Sequence, residues 1–69
     1  MREIKRLFKI YDVMFKAHKD YFPDWRMMQL LLNFISWHVS EYKTDGFYIE
    51  DETFIIRFKE YVDRFKDAN

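Results

Sequence analysis

A chain of 69 residues with 12 basic and 12 acidic side chains has room for one domain and carries no net charge. Without cysteine it has neither a disulfide framework nor a thiolate metal site, and that absence fits a reducing compartment. Neutrality argues against a strongly electrostatic ligand for the molecule as a whole.

Eight Phe, five Tyr and two Trp are a heavy load for this length. Such rings dominate cores and interfaces alike, so the surplus implies an aromatic core or rings that await a partner. The N-terminus has no charged, apolar and cleavable segments in the order of a secretion signal. The apolar run Leu30-Leu31-Leu32 falls far short of a membrane span. A cytoplasmic protein with no membrane partner is expected.

The first helix is expected over residues 2–20. Ile4, Leu7, Phe8, Tyr11, Met14, Phe15 and His18 recur at helical spacing and form its expected core face. Arg2, Lys5, Lys9 and Lys16 make a basic ridge opposite, with Arg6 at its edge and Val13 exposed in its midst. Residues 1–20 hold six bases and three acids, whereas residues 44–69 hold four bases and seven acids.

Tyr21-Phe22-Pro23-Asp24 interrupts the helix, because the residue before a proline avoids helical backbone. Asp24 is the expected N-cap of a second helix over residues 25–43. Met27, Met28, Leu30, Leu31, Leu32, Phe34, Ile35, Trp37 and Val39 cover most of its circumference. So wide an apolar arc predicts a central helix between two neighbours. Its polar strip, Arg26, Gln29, Asn33, Ser36 and Ser40, is narrow and almost uncharged.

Thr44-Asp45-Gly46 is expected to end that helix, with Gly46 left-handed. Phe47-Tyr48-Ile49 is read as extended and packed down. Glu50, Asp51 and Glu52 suit the positive end of a third helix over residues 51–67. Phe54, Ile55, Phe58, Tyr61, Val62 and Phe65 form its apolar face, Ile56 lies on its polar side, and Glu60 and Arg64 are spaced for an ion pair. Short connections then predict an all-α fold, a small antiparallel three-helix bundle forming a single domain.

Catalytic chemistry finds little to use. Nucleophilic catalysis without cysteine would need Ser36, Ser40, Thr44 or Thr53 beside a base, and the only histidines, His18 and His38, fall within apolar arcs where a packed, hydrogen-bonded role is expected. With one glycine there is no phosphate-cradling loop. The stretch Glu41–Glu52 has the outline of a calcium loop, but Lys43 stands where an oxygen ligand belongs. A non-enzyme with no cofactor, no metal and no small-molecule substrate is expected.

What remains is surface. A protein partner is expected, with Arg26, Gln29 and Asn33 as directional contacts and Val13 and Ile56 as apolar ones. Homodimerisation stays open. An alternative is a nucleic-acid-associated protein gripping phosphates through Arg2, Lys5, Lys9 and Lys16. A third reading is a structural subunit of a larger assembly, held by its aromatic surface.

The stretch Pro23-Asp24-Trp25-Arg26, then Gln29-Leu30 and Asn33, then Phe47-Tyr48-Ile49-Glu50-Asp51 resembles short uncharacterised proteins of bacteria and their phages. Those share a P-D-x-R, Q-L, N, F-Y-x-E-D pattern before a final amphipathic helix. Members often carry Gly before the Gln, where this chain has Met28. The resemblance supplies no activity and implies a small helical accessory protein from a phage or mobile element; the protein-partner reading is then that of a phage-type modulator that binds a host or defence protein.

Overall fold

The computed structural model describes residues 4–68. It has three helices, α1 (Lys5–Tyr21), α2 (Met27–Tyr42) and α3 (Asp51–Phe65), followed by one 3₁₀ turn at Lys66–Ala68. Among the described residues there is no strand. The fold is the expected all-α three-helix bundle, with dimensions of 39 × 27 × 19 Å.

The α1–α2 connection is organised by Phe22. The Phe22 amide donates to the His18 carbonyl at 3.1 Å, and the Trp25 amide donates back to the Phe22 carbonyl at 3.0 Å. Pro23 occupies the second position of that four-residue turn, where its fixed φ is favourable. The Phe22 ring is fully buried and lies 4.6 Å from the Trp25 ring. Since Asp24 is used by this turn, α2 starts later than expected. Arg26, in extended backbone, is the residue that precedes it, and no side chain caps it.

The other end of α2 also departs from expectation. Lys43, not Gly46, takes the left-handed conformation that stops the helix, at φ 59°, and its amide donates to the Val39 carbonyl. Gly46 has φ +81° but serves the next turn, in which its carbonyl accepts from the Ile49 amide. A Cβ on Gly46 would sit 3.3 Å from His38 Nδ1. Gly46→Ala should therefore cost about 1–2 kcal/mol through the left-handed penalty alone, read as a lower urea midpoint at unchanged slope. Lys43→Gly relieves the same penalty without any contact, so it should be neutral or slightly stabilising.

Helix α3 is the central element, which corrects the expectation for α2. Ile55, Phe58, Tyr61 and Val62 of α3 are buried, against Leu30, Phe34 and His38 of α2 and Ala17 of α1. Helix α3 packs on both others, while α1 and α2 approach each other less closely. Helices α1 and α3 run side by side in the same sense. Arg6 pairs with Asp51 at one end, and Lys66 lies over the Tyr21 ring at the other. Helix α2 lies across α3, with Phe34 centred 5.2–5.7 Å from the rings of Phe54, Phe58 and Tyr61.

The core-facing side of α1 is rotated from the expected one. Ala17 is buried and Val13 and Met14 pack against the core, whereas Ile4, Phe8, Tyr11 and Phe15 are 61–73% exposed. The wheel offers two apolar arcs. Only packing on α3 chooses between them, and the small Ala17 permits closer helix approach than a phenylalanine would.

Candidate functional site

The unpartnered apolar surface is ordered rather than scattered. Ile4, Phe8, Tyr11 and Phe15 recur at intervals of four, three and four residues, which places them within about 60° of one another on α1. Met28, Leu32, Ile35 and Val39 repeat the same spacing on α2 and are 43–57% exposed. Each stripe is about 16 Å long. This is the seam pattern by which one helix receives another.

Both stripes lie on the same side of the molecule. Val13 and Ala17 turn α1 toward α3, while Met14 and Phe15 meet Met27 and Leu30 across a narrow groove. A larger groove of about 500 Å³ continues beyond it, between Ile10 of α1 and Leu31 and Ile35 of α2, with Phe54 of α3 among its lining. The stripes thus flank the α1–α2 groove on the face opposite α3. Between Met27 and Ser40 the only ionisable side chain is His38, which is 1% exposed. The groove face of α2 therefore presents no charge.

The turn after α2 closes one end. Asp45 Oδ1 accepts from the Phe47 amide at 2.9 Å, and this local bond holds residues 45–47 in a turn rather than a strand. Phe47 and Tyr48 are then exposed, with rings 4.8 Å apart in a T-shaped pair. The expectation of an extended, packed-down segment is corrected for these two. Only Ile49 is partly buried.

Beneath the groove a polar network fixes α2 on α3. His38 Nδ1–H donates to the Thr44 carbonyl at 3.2 Å, and Arg57 donates to His38 Nε2 at 2.8 Å. A carbonyl can only accept and a guanidinium can only donate, so His38 is the neutral Nδ1–H tautomer. The Arg57 guanidinium lies 4.0 Å from the centre of the Tyr42 ring, and the Tyr42 hydroxyl donates to Glu60. That hydrogen bond, then burial, then the charge of Glu60 raise the Tyr42 phenol above its ordinary 10.0. Burial likewise raises Tyr61. Arg64 reaches Glu41 at 3.3 Å, so the expected Glu60–Arg64 pair gives way to contacts with α2 from both residues.

His18 has a comparable structural role. Its Nε2–H donates to the Trp25 carbonyl at 2.6 Å, tying the end of α1 to the turn. Both histidines thus hold backbone carbonyls in place, as their positions on apolar arcs suggested. Among the described residues no three His, Asp or Glu side chains converge as a metal site would require, and no helix is long and apolar enough to cross a membrane.

The sequence-predicted contact residues are dispersed. Arg26, Gln29 and Asn33 are exposed along one strip of α2, with Ser36 and Ser40, next to the apolar stripe but not on it. Ile56 is exposed on the side of α3 away from its buried residues. Val13 is corrected. It is not an exposed contact within a basic ridge but packs against the core between α1 and α3, because the rotation of α1 that exposes Phe8 and Phe15 carries Val13 inward.

The basic ridge is partly neutralised. Lys16 pairs with Asp12 at 3.0 Å, Lys19 with Asp20, and Arg6 with Asp51. Lys5 and Lys9 are exposed, and Arg2 lies outside the described residues. The exposed stripes were readable as heptad spacing in the sequence, but the same spacing served equally well for a core. Comparison with protein-family models, curated proteins and solved structures gives no match.

Proposed function

We propose that this chain is a non-enzymatic protein–protein interaction module whose contact surface is the outer face of α1 and α2. One observation carries the reading. Two apolar stripes of matching spacing flank an apolar groove and, among the described residues, have nothing over them. Scattered exposed hydrophobes are ordinary on a monomer, but contiguous apolar area of this kind marks an interaction surface. The groove walls, alternating Phe, Tyr, Leu and Ile, suit an amphipathic helix docked by its apolar side.

Arg26, Gln29 and Asn33 border this face and supply a polar rim, the usual complement to an apolar centre. On this reading the nucleic-acid alternative loses ground, since Asp12, Asp20 and Asp51 offset the cations beside them. The resemblance of residues 23–51 to phage and bacterial accessory proteins extends the proposal to a host protein as target.

Photo-crosslinking in cells tests the surface directly. A photoreactive side chain at Leu32 should give a discrete protein adduct, while one at Asn33, about 100° around the helix, should give a weaker one. Adducts at Asn33 alone would move the contact to the neutral strip. Adducts at neither position would remove the interaction reading.

A further inference from the structure

Resting on that reading, we propose that the occupant of the α1–α2 face is a second copy of this chain, related by a two-fold axis, with α1 of each protomer lying on α2 of the other. Three observations converge on it.

The first is area. Eight apolar side chains of one face, four on each stripe, are 43–73% exposed. A specific interface buries about 800 Å² on each partner, and the two stripes supply apolar area of that order.

The second is shape. The α1 stripe carries the bulky side chains Phe8, Tyr11 and Phe15, and the α2 stripe carries the slimmer Met28, Leu32, Ile35 and Val39. Large on α1 faces smaller on α2, so the chain contains both halves of the complement. A two-fold operation brings the two halves together twice. The stripes are equal in length, and α1 and α2 run antiparallel along their groove, with His18 and Met27 at one end and Ile10 and Ile35 further along. Tyr11 of one protomer then faces Leu32 of its partner.

The third is charge. The apolar face of α2 presents no charge, and the molecule has zero net charge, so two copies approach without long-range repulsion. Lys5, Lys9 and Lys16 point away from the centre of the α1 stripe by about 90–130° and would sit at the rim of the interface, where lysine stems can cover apolar surface with the ammonium in water.

Sedimentation equilibrium on the purified chain, from low micromolar to near-millimolar, should show a reversible monomer–dimer equilibrium. Leu32→Lys and Phe8→Lys each place an ammonium in the interface twice per dimer and should weaken it by on the order of a hundredfold. Ile56→Lys, on the far side of α3, should leave it unchanged. A chain that stays monomeric throughout, or a Leu32→Lys variant that dimerises like the parent, overturns the proposal.

A second measurement does not depend on charged variants that could disturb folding. The parent chain lacks cysteine, so Tyr11→Cys protein mixed with Leu32→Cys protein should form an intermolecular disulfide on mild oxidation. Tyr11→Cys mixed with Ile56→Cys, which lies on the far side of α3, should not. Equal cross-linking in both mixtures, or none in either, overturns the arrangement. If the purified chain is monomeric while Leu32 still captures a different protein in cells, self-pairing fails and the interaction reading stands. If neither forms, both fail.

Discussion

Phe34→Ala is expected to leave the chain largely unfolded at room temperature. The Phe34 ring is 4% exposed and lies at the centre of an aromatic cluster, with Trp37, His38, Phe54, Phe58 and Tyr61 all within 6.0 Å of its centroid. Truncation of a buried Phe costs about 3–5 kcal/mol in lost transfer energy and cavity, before any loss from ring–ring geometry. A domain of this size has about 3–10 kcal/mol in total. The two quantities are comparable, so the variant should lose its near-ultraviolet dichroism and most of its helical signal. Phe34→Leu keeps most of the volume and should remain folded with a lower melting temperature. A Phe34→Ala protein that melts within a few degrees of the parent would show that the cluster is not the core.

His38→Ala acts on the other half of the α2–α3 contact. The imidazole receives a hydrogen bond from Arg57 and gives one to Thr44, and it stacks near Phe34 and Tyr42. Its removal opens a cavity and strips a partner from the partly buried Arg57 and from the Thr44 carbonyl. An unsatisfied buried polar group costs about 1–3 kcal/mol, so a total near 3 kcal/mol is expected with the cavity included. For a domain of this length that corresponds to a fall of roughly 10–25 °C in melting temperature. His38→Asn retains a donor for Thr44 and should recover part of the loss. Because a dimer would raise the melting temperature with concentration, parent and variants are compared at one protein concentration. A loss below about 1 kcal/mol would mean that Arg57 finds another partner, and would dissolve the argument that this network sets the angle of α2 on α3.

The two halves of the molecule therefore differ in kind. The α2–α3 contact is dense, aromatic and hydrogen-bonded. The α1–α2 seam is an open apolar groove flanked by exposed side chains. On the proposed reading stability resides in the first and recognition in the second, so charged substitutions at Phe8 or Leu32 should alter association while Phe34→Ala alters folding. That separation makes the interface experiments interpretable.

The number, order and approximate extent of the helices followed from local rules that act within a few residues. Proline at position 23 and the Thr44-Asp45-Gly46 turn separate the helices, the acids of Glu50–Glu52 begin the third, and the apolar face of α3 survives intact as Ile55, Phe58, Tyr61 and Val62. Composition also announced an aromatic surplus, compatible with an aromatic core or with exposed rings, and the structure has both. Tertiary packing decided which apolar arc of α1 is buried. Val13 with Ala17 and Phe8 with Phe15 have similar claims by hydropathy, and only the surface of α3 distinguishes them. Tertiary packing also made α3 the centre and turned the second apolar side of α2 outward, because a wide apolar arc is compatible either with two intramolecular neighbours or with one neighbour and a partner. Hydrophobic burial is non-directional, so the sequence determined how much apolar surface must be covered. Which part of it is buried within the chain, and which part stays exposed, was decided by how three helices fit together.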